Sequence, residues 1–220
     1  GGGNGRGGTG GSGSGGGNSG GNSGGISVNP GTGNTQTTTE KFIDLDNYAW
    51  AKDYIYKLSD AGIIKGISDT EFGPANEIRR GDFMLILARM LEINDPFTEN
   101  FADVPEGSYY YDAIGSAKAA GIAQGSGENF MPENPITRQD LITLAYRVLV
   151  DRGMIEETTD TTVLDQFADK GNISEYALAP LASMVAQGII QGADGYVNPT
   201  STATRAEVAV MCARIYDLIN

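Results

Sequence analysis

Pro199-Thr200-Ser201-Thr202-Ala203-Thr204-Arg205-Ala206-Glu207 is the third statement of one pattern. Upstream the chain reads Pro132-Glu133-Asn134-Pro135-Ile136-Thr137-Arg138-Gln139-Asp140, and before that Pro74-Ala75-Asn76-Glu77-Ile78-Arg79-Arg80-Gly81-Asp82. Each copy has a Pro, an Arg six residues on and an acid two residues later, followed by an apolar run. Thr137 with Asp140, and Thr204 with Glu207, have the spacing of a capping box, in which the hydroxyl accepts from the first turn and the acid reaches back. Copy one has Arg79 at the cap, which cannot accept. The pattern therefore predicts three helices that open on Arg80, Arg138 and Arg205. A cation at that position opposes the helix dipole, at a cost of roughly 0.3–1 kcal/mol. Two readings explain three such placements. Free first-turn N–H groups plus a guanidinium make an anion site; alternatively each Arg pairs with an acid of its own fold.

The pattern sits inside a longer repeat. Phe42-Ile43-Asp44, Phe101-Ala102-Asp103 and Phe167-Ala168-Asp169 open three units, 59 and 66 residues apart. An aromatic follows (Trp50, Tyr109, Tyr176), and twelve residues after it comes Gly-Ile at Gly62, Gly121 and Gly188. A second Gly stands four residues later, at Gly66, Gly125 and Gly192. A second Arg follows the first by nine residues, at Arg89, Arg147 and Arg214, and is read as a helix-surface or salt-bridge residue. Ordered motifs at this period indicate an array of supersecondary units.

Each unit reads as helix, loop, helix. First helices are predicted near 50–61, 109–120 and 176–187, with Ile55, Leu58 and Ala61, and in copy three Leu181 and Met184, on a helical stripe. The following Gly suits the left-handed position that ends a helix. Pro180 falls either in the first turn of its helix or at a kink. Second-helix stripes comprise Phe83, Ile86, Leu87 and Met90; Leu141, Leu144, Ala145 and Val148; and Val208, Met211, Cys212 and Ile215. These are core residues, and Cys212 is an inert buried thiol. One helix pair barely buries enough surface to fold alone, so the three units pack together.

Composition narrows the function classes. The chain has 220 residues, a net charge of −13, one Cys and no His. A disulfide framework, His-based triads and His-containing zinc sites are excluded. The acidity argues against nucleic acid and anionic membranes as partners. No apolar signal stretch or membrane span is present, and the chain does not open on Met, so it reads as a C-terminal part of a longer product. Residues 1–40 are Gly, Ser, Asn and Thr with little else, the composition of a flexible linker. Asp44 and Asp46 alternate, but no complete calcium loop follows; no metal and no cofactor is expected.

The ordered motifs resemble the S-layer homology family. The residues that carry the resemblance are Phe101-Ala102-Asp103-Val104-Pro105, Ala120-Gly121-Ile122-Ala123-Gln124-Gly125, Phe130-Met131-Pro132, Ile136-Thr137-Arg138-Gln139-Asp140, Gly188-Ile189-Ile190-Gln191-Gly192 and Thr204-Arg205-Ala206-Glu207. It implies an all-α fold of three repeats, over 41–96, 97–162 and 163–220, packed as a pseudo-threefold helical unit behind the linker. It also implies a secreted, non-catalytic module on the bacterial cell wall. That module would bind secondary cell-wall polysaccharide bearing a pyruvate ketal and tether an upstream domain. The resemblance places Arg80, Arg138 and Arg205 on the carboxylate. Trp50, Tyr109 and Tyr176 either pack or stack on a sugar; packing is the preferred reading, and stacking would make them supporting groove residues. Gly66, Gly125 and Gly192 either let a ligand approach or satisfy a turn. Two other classes are compatible with parts of the sequence. One is assembly against other S-layer subunits through exposed apolar surface. The other is a glycosidase, which needs a carboxylate pair; the recurring acids Asp82, Asp140 and Glu207 are instead ascribed to helix capping.

Overall fold

A computed structural model describes residues 41–220; the linker expected over 1–40 lies outside the described residues. Six helices carry the fold: α1 (Ala49–Asp60), α2 (Arg80–Met90), α3 (Tyr111–Ala119), α4 (Arg138–Asp151), α5 (Glu175–Ala186) and α6 (Arg205–Ile219). Among the described residues there is no strand, only isolated bridges, and no helix is long and apolar enough to cross a membrane. The all-α expectation holds.

The second helices start on the predicted arginines. Thr137 Oγ accepts from Asp140 N, and Thr204 with Glu207 forms the full reciprocal box. Arg79 makes no cap bond. The first helices end before Gly62, Gly121 and Gly188, whose φ values of 73°, 75° and 72° are the left-handed stop. Because α1 ends at Asp60, Ala61 falls off the apolar stripe and is exposed. Pro180 is the sixth residue of α5, past the first turn; it has no N–H to return to Tyr176. The longer spacing between repeats two and three is taken up partly by a 3-10 turn, Thr162–Gln166, that buries Leu164 against α5.

The repeats close into a ring. α2 packs on α3, α4 on α5, and α6 on α1. Each second helix thus finds its main partner in the next repeat's first helix, and the last finds the first. At the centre three backbone bonds run in a circle: Ile78 N to Ala203 O (3.0 Å), Ala203 N to Ile136 O (3.1 Å) and Ile136 N to Ile78 O (3.0 Å). All three side chains are buried, so these amides have no water to turn to and the ring satisfies them. The stripes named from sequence on the second helices are all buried, and burial pushes the Cys212 thiol up to about 12.

The acid of each opening Phe-x-Asp has a role that local reading missed. Asp44 accepts from Phe72 N (2.9 Å) and Gly73 N (2.7 Å). Asp103 accepts from Phe130 N (2.8 Å) and Met131 N (2.7 Å), and Asp169 from Val197 N (3.0 Å) and Asn198 N (2.6 Å). Each carboxylate clamps the loop where the residue before Pro takes positive φ: Gly73 at 69°, Met131 at 59°, Asn198 at 50°. Met131 is the costly occupant, since a left-handed L-residue costs about 1–2 kcal/mol. Met131→Gly is expected to stabilise by about 0.5–1 kcal/mol after the extra entropy of Gly, read as a rise of a few degrees in a thermal melt.

Candidate functional site

The first two amides of each second helix are not free, contrary to the sequence argument for an anion site at the helix ends. Arg80 N and Gly81 N donate to Asn134 O and Pro132 O, both at 2.9 Å. Arg138 N and Gln139 N donate to Ser201 O and Pro199 O, also at 2.9 Å. Arg205 N and Ala206 N donate to Asn76 O (2.9 Å) and Pro74 O (3.1 Å). The Pro loop of the next repeat occupies each helix end, so these two amides are taken and the guanidinium is the positive group left there for an anion.

Each guanidinium is also a clamp. Arg80 Nε donates to Phe130 O (3.0 Å), Arg138 Nε to Val197 O (2.9 Å) and Arg205 Nε to Phe72 O (3.0 Å). Arg80 and Arg205 lie over the rings of Phe130 and Phe72, at 5.0 and 4.7 Å, a favourable cation–π placement. A cation three times at an unfavourable helix position is thereby explained: it fastens one repeat to the next.

Three equivalent inter-repeat seams result, here called grooves I to III, each using all three repeats. In groove I, Arg80 meets Asp140 (3.2 Å), and Tyr176 donates to the other oxygen of Asp140 at 2.6 Å. In groove II, Arg138 meets Glu207 (2.8 Å) near Trp50. In groove III, Arg205 donates to Lys65 O at 2.6 Å, while Asp82 is taken by the Tyr109 hydroxyl at 2.6 Å. Burial lowers the Arg205 pKa against the pull of Asp82 and Asp44. Burial and the bond to Asp140 push Tyr176 up to about 12; burial and Asp82 raise Tyr109 further. Both hydroxyls are therefore held as donors at neutral pH. The recurring acids need a correction as well: only Glu207 completes a capping box, while Asp140 and Asp82 serve the grooves. Asp is one methylene shorter than Glu, which leaves its carboxylate short of the cap amide.

The aromatics are not core. Trp50, Tyr109 and Tyr176 are 53%, 62% and 51% exposed, while Trp50 lies against Tyr48 and Tyr109 edge-on to Tyr110. The glycines have a steric explanation from the fold itself. A Cβ at Gly66, Gly125 or Gly192 would stand 2.7, 2.7 or 2.6 Å from the ring of Phe42, Phe101 or Phe167 and 2.4–2.6 Å from a loop carbonyl.

Groove II contains a cavity of about 520 Å³. Tyr48 and Trp50 of repeat one, with rings 6.2 Å apart, form one wall. Arg138, Leu141 and Ile142 of repeat two and Gln191, Gly192, Glu207, Met211 and Arg214 of repeat three complete it. The cavity brings together Arg138, Trp50 and Gly192 of the residues singled out from sequence. Arg80 joins Tyr176 in groove I, and Arg205 joins the Asp82–Tyr109 pair in groove III. Tyr48, Gln191 and Arg214 were missed as groove residues; the fixed nine-residue offset of Arg214 from Arg205 was the available signal. Among the described residues no cluster of three or more His, Cys, Asp or Glu is suited to a metal; Asp44, half of the alternating acid pair, is engaged by backbone amides.

A family model described as S-layer homology domain matches residues 41–84, 100–142 and 166–209. The chain is 34% identical over 174 residues to an amylopullulanase of Thermoanaerobacterium thermosulfurigenes, covering 77% of this chain and 9% of that protein. It is 32% identical over 193 residues to exoglucanase XynX of Acetivibrio thermocellus, covering 86% and 17%. It is 32% identical over 176 residues to the surface-layer 125 kDa protein of Lysinibacillus sphaericus, covering 78% and 14%. The chain thus spans less than a fifth of the length of each of these relatives.

Proposed function

The chain belongs to the S-layer homology domain family, and from that premise we propose that residues 41–220 are a non-catalytic anchor holding a longer secreted protein on the bacterial cell surface. The shared segment supports this: it occurs in two proteins named as different glycan-cleaving enzymes and in one named as a surface-layer protein. What such unlike proteins share is not a common reaction. The proposed ligand is a secondary cell-wall polysaccharide, pyruvylated, with its carboxylate at the groove arginines and a sugar face on the aromatic wall. Arg80, Arg138 and Arg205 are the proposed contacts, and Trp50, Tyr109 and Tyr176 support them.

The observation that carries the reading is the groove II cavity, where Arg138, the Tyr48–Trp50 wall and the Gly192 loop converge from three repeats. Apolar ring faces beside a cation suit a charged sugar. An incoming carboxylate has to compete with Glu207 for Arg138. That pair is partly exposed, at 17% and 37% for the two side chains, so the exchange costs little, on the order of 1 kcal/mol. Weak sites in tandem gain by tethering, since a bound groove raises the effective ligand concentration at the next.

The test is co-sedimentation of the 220-residue chain with wall sacculi, before and after mild acid removes the polymer and its ketals. Binding is expected to vanish with the polymer, and Arg138→Ala to weaken it at least tenfold while the thermal transition stays cooperative. Equal pelleting with stripped and intact sacculi would overturn the glycan reading.

A further inference from the structure

We infer that Arg214 is a second ligand-contacting cation of groove II, set in place by Gln191. The ligand is then gripped at two points: an anionic group at Arg138, and hydroxyl or carbonyl oxygens at Arg214. This rests on groove II being the glycan site.

The three equivalent arginines behave differently. Arg214 Nη1 donates to Ile189 O and Nη2 to Gln191 Oε1, both at 3.0 Å. Arg147 makes the same first bond, to Ile122 O at 3.2 Å. Arg89 makes neither: it is exposed and has no hydrogen bond or ion pair among the described residues. Repeat one carries Lys65 where repeats two and three carry Gln124 and Gln191. A Lys offers no acceptor and repels a guanidinium, so repeat one lacks the side-chain partner that Gln191 gives Arg214, and Lys65 opposes the approach of Arg89 to the carbonyl of Ile63. The inward position of Arg214 is therefore not a default of its helix but is set by its loop.

That position puts Arg214 on the same cavity as Arg138 and Trp50. A guanidinium carries five donors in a planar fork. Two of those of Arg214 hold the loop, which fixes the plane and leaves the others for a ligand. The cavity wall then has two guanidiniums, Arg138 and Arg214, against one carboxylate, Glu207. A local positive excess in a chain of net charge −13 selects an acidic glycan over a neutral one. Arg147 has only the bond to its loop carbonyl and none to its loop glutamine, so its guanidinium plane is not fixed in the same way.

Trp50, the single tryptophan of the chain, lies on this cavity, so its emission reports groove II. The experiment titrates the full chain with purified pyruvylated wall polysaccharide and follows tryptophan fluorescence. Arg214→Gln and Gln191→Lys are expected to weaken the titration at least tenfold. Arg147→Gln, which loses the equivalent loop bond in the other groove, is expected to stay within twofold of wild type. Should Arg214→Gln fail to fold, Gln191→Lys at an exposed position decides the question. Wild-type affinity in both, or an equal loss in Arg147→Gln, overturns the role of Arg214 and leaves the anchor reading standing. No titration in wild type, or none lost in Arg138→Ala, brings down the groove reading and this inference with it.

Discussion

Gly125→Ala is expected to lower the thermal midpoint of the folded repeats by roughly 10 °C. An added Cβ would lie 2.4 Å from Asn129 O and 2.7 Å from the Phe101 ring. Neither can retreat. Asn129 O is pinned by Ser126 N at 2.8 Å, and Phe101 is buried against Phe130 with ring centroids 5.5 Å apart. The backbone at φ +63° adds the left-handed penalty of about 1–2 kcal/mol, and overpacking a rigid site adds about 1–3 kcal/mol. Some 3–4 kcal/mol in a fold of this size corresponds to a shift of roughly 6–16 °C. Gly127→Ala is the control: its φ of +62° is the same, but no atom lies within 4 Å of the added carbon. It should lose only the backbone penalty, about 1–2 kcal/mol. Calorimetry that found the two variants alike would show that close approach of Phe101 is not what demands glycine.

Asp169→Ala is expected to destabilise by about 3–5 kcal/mol. The carboxylate is nearly buried, 9% exposed, and is the acceptor for two backbone amides, Val197 N and Asn198 N. Hydrogen bonds to a charged group contribute about 1.5–3 kcal/mol each, and removing the acceptor leaves both donors stranded. Asp169→Asn keeps one acceptor oxygen and should recover about half of the loss. In urea the midpoint should fall with the slope unchanged, the signature of lost stability without a change in the surface exposed. The consequence reaches groove II. Val197 O accepts from Arg138 Nε, and Pro199 O accepts from Gln139 N. Loosening this loop also loosens the arginine, so glycan affinity should fall alongside stability. A urea midpoint close to wild type for Asp169→Ala would return these amides to solvent.

Much of this was legible residue by residue. The Thr-x-x-acid spacing placed the starts of α4 and α6, and Gly-Ile placed the ends of the first helices, because capping involves only residues within one turn. The apolar stripes were legible for the same reason: periodicity along one helix needs no knowledge of its partner. The failures share a cause too. Asp82 and Asp140 were assigned to capping because Tyr109 and Tyr176 stand 27 and 36 residues away. The role of Asp103 in Phe-x-Asp was missed because the amides it holds belong to Phe130 and Met131, 27 and 28 residues along the chain. Sequence order alone fixed the repeat, its helices, the exclusion of His and disulfide chemistry, and the three arginines as the residues to watch. Closure of the ring decided the rest. It turned the helix ends into joints between repeats, took their amides out of play and set Trp50, Arg138 and Arg214 around one cavity. Those three come from three different repeats, and no local propensity couples residues so far apart; packing α6 onto α1 brings Trp50 to Arg214, and the bonds of Arg138 to Val197 O and Glu207 bring it to the same cavity.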